Sequence, residues 1–148
     1  MSLKKTLHVD LTNALKARDE LTVSVLRSVI GAVQSAEKAG KTAVEFNDEE
    51  VLNILRKQIK QRRESAQIYA DAKQIERSER EENEARILDV YVPADLSDGE
   101  LEMLVRRVVS TFENPDKGSF GAIMKAVVSE IAGRADGKRI SEKVRSLL

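Results

Sequence analysis

The sequence contains no cysteine and only one histidine, His8. Without cysteine the chain cannot form a disulfide, bind a metal through thiolates or use a cysteine nucleophile. A single histidine also excludes a histidine-rich metal site within one chain. His8 has no companion ligand, and a position at the surface or edge of the protein accounts for it. We therefore expect no metal and no cofactor.

Aromatic residues and long apolar runs are also scarce. Aromatics make up 3% of the chain and tryptophan is absent, so leucine, valine, isoleucine and alanine must form most of the core. No apolar run approaches the roughly 18 residues needed to cross a bilayer. The N-terminus lacks a signal-peptide pattern. These absences predict a soluble, cytoplasmic protein with no membrane partner.

Charge and short motifs do not indicate an enzyme. The 25 basic and 25 acidic residues balance, and no nucleophile elbow or glycine-rich phosphate loop is present. The acids between Glu76 and Asp89 could form a metal or acid/base cluster. However, the interleaved Arg77, Arg80 and Arg86 favour a salt-bridged helix face. We expect no catalytic residues.

Apolar residues recur with helical spacing almost throughout, and this pattern predicts an all-α protein. Helices are expected over about 3–16, 20–38, from the N-cap Asn47 to a turn near Lys73, and 75–91. Capping boxes are predicted at Asn47/Glu50 and at Ser97/Glu100. The first helix should bury one stripe, formed by Leu3, Leu7, Leu11 and Leu15.

Pro93 ends the fourth helix, and smaller helical signals follow it. We predict an N-terminal four-helix domain over 1–92 and a C-terminal three-helix domain over 93–148. Gly133 suits the cap at the end of the middle helix of the C-terminal domain. That helix should bury a stripe formed by Phe120, Ile123, Met124, Val127, Val128 and Ile131.

Six segments together resemble the YqeY family. They cover almost the whole chain in the family's order: Ala14–Asp19, Ser24–Arg27, Lys57–Ala66, Tyr91–Pro93, Gly121–Lys125 and Gly133–Lys138. The resemblance implies that residues 93–148 are similar to the tail domain of GatB. GatB is a subunit of the glutamine-dependent tRNA amidotransferase, a carbon–nitrogen ligase whose tail helps to hold tRNA. This sequence lacks the catalytic region of GatB, so the resemblance implies kinship with that enzyme and not its activity.

The C-terminal segment is the best candidate for RNA contact. Residues 117–148 contain seven basic and three acidic residues (7 − 3 = +4), whereas residues 93–116 contain two basic and six acidic ones (2 − 6 = −4). Such a patch can bind phosphates without reading sequence, although an ordinary solvated surface explains it as well. The turn between Gly133 and Gly137 could add backbone N–H groups for an anion. The candidate RNA-binding residues are Lys125, Arg134, Lys138, Arg139 and Lys143.

The third predicted helix carries a second basic face and one misplaced charge. Arg56, Lys60 and Arg63 share one face, for which a solvated surface is the alternative to a binding site. Arg62 interrupts the apolar stripe and should point towards the core. In an antiparallel hairpin with the fourth helix it would lie opposite Glu81 or Glu84. We interpret this as a structural ion pair that fixes the register of the hairpin, with a ligand site as the alternative.

Two functions from different classes fit these features. The first is a non-catalytic tRNA-binding or accessory module, with the C-terminal domain contacting the RNA backbone and with no DNA partner expected. The second is a protein–protein adaptor whose N-terminal helices dock on a tRNA synthetase or amidotransferase. A free-standing enzyme acting on an amide would need an ordered polar pocket that these residues do not suggest.

Overall fold

The computed structural model describes residues 1–148, which form seven α-helices and no strand. The all-α prediction is therefore confirmed. The chain divides into two compact units, Met1–Val92 and Pro93–Leu148, and no helix is both long and apolar enough to cross a membrane. The helices are α1 (Leu3–Ala17), α2 (Glu20–Glu37), α3 (Asp48–Asp71), α4 (Ile75–Asp89), α5 (Asp98–Ser110), α6 (Phe120–Ile131) and α7 (Gly137–Ser146), with a short 3-10 helix at Lys117–Ser119.

In the N-terminal unit, α3 and α4 form a long antiparallel hairpin. The Ser78 hydroxyl, near the start of α4, donates a hydrogen bond to the carbonyl of Ala66 on α3. Arg63 on α3 donates a hydrogen bond to Asp89 at the end of α4. Lys73 has a positive φ of 60° at the turn between them. α1 and α2 complete the core, whose fully buried members include Leu7, Val25, Leu26, Val29, Val51, Leu55, Ala85 and Leu88.

Both predicted capping boxes are present. The side chains of Asn47 and Ser97 each accept the backbone N–H of the third helical residue, and the glutamates there return the bond. Each box satisfies N–H groups that the first turn of a helix cannot pair internally. α3 and α5 therefore begin where the sequence predicts.

The C-terminal unit has a core of its own, formed by one face from each of its three helices. α6 contributes Ile123, Val127 and Ile131, and α5 and α7 close over them. The predicted stripe on α6 was too wide, because Val128 is 49% exposed. It lies about 100° around the helix from Val127, beyond the face that α5 and α7 cover.

The predicted stripe on α1 was wrong at its last member. Leu15 is 47% exposed, whereas Leu7 is buried and Ala14 takes the buried position at the end of the helix. A strict four-residue repeat drifts by about 40° per step on a helix of 3.6 residues per turn. By Leu15 the stripe that started at Leu3 has rotated away from the core.

Candidate nucleic-acid interface

Arg134 and Arg139, two of the five candidate RNA-binding residues, make contacts within the C-terminal unit. Arg134 Nε donates to the carbonyl of Ala94 at 2.9 Å, and its own carbonyl accepts the N–H of Leu96 at 2.8 Å. Arg139 Nη2 donates to the carbonyl of Leu96 and to Asp98 Oδ1, both at 2.9 Å. These bonds hold the segment that leads into α5, so both arginines position this segment.

The start of α7 is not free to bind an anion as the sequence suggested. Asp136 is the N-cap residue, and its carboxylate accepts the N–H of Arg139 at 2.8 Å. A negative side chain therefore already occupies the place where the N–H groups and the helix dipole would favour an external phosphate. The turn itself contains Ala132 and Gly133, both with positive φ.

Most of the positive charges without an ion-pair partner in the C-terminal unit are lysines, and Arg134 and Arg145 are the others. Lys125 and Lys138 are exposed, Lys143 is half-buried, and none of them has an ion-pair partner. The acids of the same segment are more often engaged, because Glu130 pairs with Arg107 and Asp136 caps α7. Of the three acids in the segment 117–148, only Glu142 neither forms an ion pair nor caps a helix. The positive charge predicted for this segment is therefore available at the surface.

Lys125 stands on a face of α6 made of short side chains. Gly121, Lys125, Val128 and Ala132 follow helical spacing and are all exposed. A Cβ atom added at Gly121 would meet nothing within 4 Å. The surface beside Gly121, one turn before Lys125, is therefore open, and a bulky ligand could approach the helix backbone there.

The second basic face, on α3, is only partly free. Arg63 forms a two-point contact with Asp89, at 3.1 Å and 2.6 Å, and its Nε lies 3.7 Å from Glu82. The Asp89 hydrogen bond raises the pKa of Arg63. Arg56 and Lys60 have no ion-pair partner. Arg63 thus links α3 to α4 through ion pairs, whereas Arg56 and Lys60 remain available at the surface.

Arg62 and Glu84 are brought together between α3 and α4. Arg62 Nε lies 3.7 Å from Glu84 Oε2, and each side chain is 15% exposed. Arg62 Nη1 donates to Gln58 Oε1 at 2.7 Å. Arg80 approaches the other oxygen of Glu84 at 3.6 Å. Arg62 Nε itself is buried without a hydrogen-bond partner, so its attraction to Glu84 is electrostatic.

Glu81, the other acid predicted opposite Arg62, makes no direct ion pair. Burial and the neighbouring charge of Glu84 raise its pKa above the ordinary value, and the charge of Arg62 lowers the pKa by a smaller amount. Glu84 is thus the ion-pair partner and Glu81 is a nearby carboxyl group.

Three of the six acids of α4, namely Glu82, Glu84 and Asp89, form ion pairs with arginines of the hairpin, and Glu76, Glu79 and Glu81 do not. No group of three Asp, Glu or His side chains is arranged to hold a metal ion. His8 is exposed on α1.

The sequence analysis missed a groove between the end of α1 and the start of α2. The groove measures about 540 Å³ and is lined by Leu15, Arg18, Glu20, Val23, Ser24 and Arg27. Two signals could have revealed it. Arg18 and Arg27 both belong to segments that carry the family resemblance, and a leucine on a four-residue repeat drifts towards the surface by the end of a helix.

Seven helices in two compact units, with surface cations and two internal cores, define a small all-α protein. The chain belongs to the family described as Yqey-like protein, whose model matches residues 4–148. The resemblance inferred from the six sequence segments is therefore confirmed.

Similar proteins occur in fungi. "Altered inheritance of mitochondria protein 41, mitochondrial" of Pyrenophora tritici-repentis (strain Pt-1C-BFP) is 27% identical over 146 residues, covering 96% of this chain and 78% of that protein. The protein of the same name from Clavispora lusitaniae (strain ATCC 42720) is 28% identical over 134 residues, covering 88% and 77%. An uncharacterized protein of Schizosaccharomyces pombe (strain 972 / ATCC 24843) is 25% identical over 96 residues, covering 65% and 76%.

Proposed function

We propose that the C-terminal unit binds the phosphate backbone of tRNA, as a non-catalytic accessory module. One observation carries the proposal: the segment 117–148 keeps four lysines without ion-pair partners, against two such acids, Asp136, which caps α7, and Glu142. These lysines are Lys117, Lys125, Lys138 and Lys143. Lysine ammonium groups at a surface suit phosphates, and each phosphate that they neutralise releases condensed counterions.

The resemblance to the GatB tail supports tRNA as the polyanion. Neither aromatic side chain of the unit is free for base stacking, because Phe112 and Phe120 are both partly buried against the core and Arg145 lies over the Phe120 ring. Recognition would therefore depend on backbone charge and RNA shape, not on base identity. The proposed setting is the cytoplasm; the mitochondrial location in the names of the two fungal relatives belongs to those proteins.

The five candidate residues have two roles in this proposal. Lys125, Lys138 and Lys143 contact phosphates, whereas Arg134 and Arg139 keep the segment before α5 in place. Reversing the charge of an arginine would therefore disturb the fold together with any binding. Reversing the two most exposed lysines tests binding alone.

The test compares tRNA binding by the full chain and by Lys125→Glu/Lys138→Glu, using fluorescence anisotropy over a range of salt concentrations. We expect the double variant to bind about tenfold more weakly at low salt. The slope of log affinity against log salt should fall by about two, since about one unit is lost for each phosphate contact. Circular dichroism should show unchanged helix content.

The matched control is Arg56→Glu/Lys60→Glu, which reverses two unpaired cations on α3. Its tRNA affinity should stay within about twofold of the wild type, because these residues lie outside the proposed interface. An equal loss in both variants, or no measurable tRNA binding by the wild type at physiological salt, would refute the assignment.

A further inference from the structure

The groove at the junction of α1 and α2, hereafter the α1–α2 groove, combines two arginines with an apolar wall. On α2, Glu20, Val23, Ser24 and Arg27 recur at helical spacing and form one side. Leu15 and Arg18, from the end of α1, form the other. Both guanidinium groups are exposed and have neither an ion-pair nor a hydrogen-bond partner within the chain.

Arg18 is held in a backbone conformation that its residue type disfavours. It is the C-cap residue of α1, with φ 57° and ψ 35°, and its N–H bonds the carbonyls of Ala14 and Leu15. Helices commonly end in this left-handed conformation, but glycine or asparagine usually occupies it because a Cβ atom is strained there. Lys73, Asn114 and Ala132 also have positive φ, so this conformation alone does not mark a functional position. The fold nevertheless gives no reason for an arginine here, because the Arg18 side chain makes no hydrogen bond or ion pair inside the protein.

The residues that line the groove carry a net positive charge, because Arg18 and Arg27 outnumber the single acid Glu20 (2 − 1 = +1). The neighbouring Asp19 does not line the groove. It is the N-cap of α2 and accepts the N–H and the hydroxyl of Thr22. Carboxylates of a partner would therefore meet two available guanidinium groups, each able to donate two parallel N–H bonds to one carboxylate.

The apolar wall favours a protein over a nucleic acid as the occupant. Leu15 is 47% exposed at the groove, and the neighbouring Val23 is nearly buried. Aliphatic side chains give a polynucleotide nothing to stack on, and no aromatic residue lines the groove. A peptide can place an apolar side chain on Leu15 and carboxylates beside the arginines.

We propose that the α1–α2 groove is a docking site for an acidic segment of a partner protein. The segment inserts one apolar side chain between Leu15 and Val23 and presents carboxylates to Arg18 and Arg27. This inference is independent of tRNA binding, which involves only the C-terminal unit. It gives a location to the adaptor role that the sequence left open as the alternative function.

The test selects random peptides displayed on phage against the full chain and removes those that bind Arg18→Glu/Arg27→Glu. Enriched peptides should contain acidic residues flanking a leucine, isoleucine or phenylalanine. A labelled synthetic copy of an enriched peptide should bind Arg18→Glu/Arg27→Glu and Leu15→Asp about tenfold more weakly than the wild type. Arg56→Glu/Lys60→Glu is the matched control, with affinity expected within about twofold.

Arg18→Gly separates binding from folding. Glycine suits the left-handed position, so the melting temperature should stay the same or rise. Peptide affinity should nevertheless fall, because a guanidinium group is lost.

Four results would overturn the proposal. The first is enrichment of peptides without acidic character, and the second is equal binding of the peptide by the wild type and Arg18→Glu/Arg27→Glu. The third is full peptide affinity in Arg18→Gly. The fourth concerns an oligouridine strand used as an RNA probe. It is the result that Arg18→Glu/Arg27→Glu binds this strand more weakly than the wild type does but binds the peptide equally well.

Discussion

Arg62 illustrates how a partly buried charge can favour one register of a helix pair while adding little to the free energy of unfolding. Its Nε is 3.7 Å from Glu84 and lacks a hydrogen bond, while Gln58 holds the other end of the guanidinium group. Removing two such charges from water costs free energy that their attraction largely offsets. Removing only one leaves the other poorly compensated. We therefore expect the pair to penalise alternative registers of the α3–α4 hairpin more than it raises stability.

A double-mutant cycle on Arg62→Met and Glu84→Gln measures this coupling. Methionine keeps most of the apolar stem and glutamine keeps the shape, so the cycle isolates the charge interaction. Each single variant should lower the free energy of unfolding by about 1–2 kcal/mol. The double variant should be less destabilised than the sum of the two, by about 1 kcal/mol. Urea unfolding followed by circular dichroism gives all four values.

The exposed pair Glu102 and Arg106 on α5 provides the control cycle. These residues are one turn apart at 3.2 Å, and exposed pairs of this kind couple by only about 0.3–0.5 kcal/mol. A coupling at Arg62 and Glu84 no larger than that of the control would remove the case for a register-fixing pair.

Single residues were predictable where their environment follows from helical spacing. The interrupted apolar stripe indicated that Arg62 faces α4, although spacing alone could not choose between Glu81 and Glu84, which are nearly one turn apart. The engagement of Arg134 and Arg139 could not be foreseen. Their acceptors include main-chain carbonyls of Ala94 and Leu96, which lie about forty residues away in sequence and carry no side-chain signal.

At the scale of the helix, the starts were more predictable than the buried faces. A capping box is encoded within four consecutive residues, so Asn47 and Ser97 identified the starts of α3 and α5 directly. A buried face depends on which neighbours cover it, and this is why Leu15 and Val128 are exposed despite their apolar spacing. Leu15 lines the α1–α2 groove, and because its spacing assigned it to the core, the sequence analysis missed the groove.

The cap of α3 should contribute measurably to stability. Asn47→Ala removes the side chain that accepts the N–H of Glu50 at 2.9 Å, and we expect a loss of about 1 kcal/mol in the free energy of unfolding. Asn53→Ala is the matched control, since Asn53 is exposed inside the same helix and alanine there has the better helix propensity. Urea denaturation that shows equal losses for both variants would contradict a capping role.

At the scale of the whole molecule, the chain has two separate cores. The N-terminal core takes all its buried members from residues before Val92, and the C-terminal core takes all of its members from residues after Pro93. The domain boundary predicted from the sequence rests on the proline after α4 and on the second capping box. The separation of the two cores describes the geometry of the folded chain. Independent folding of each unit is a separate property that is measured on fragments.

We expect the fragment 1–92 to fold alone, because α1 to α4 supply every residue of its core. It should keep its helix content and unfold cooperatively in urea, and Leu26→Ala within it should cost about 2–5 kcal/mol, since Leu26 is fully buried. The fragment 93–148 should be helical but only marginally stable, because domains of about 60 residues bury a small share of their surface. A fragment 1–92 without a cooperative transition would mean that its core needs the rest of the chain.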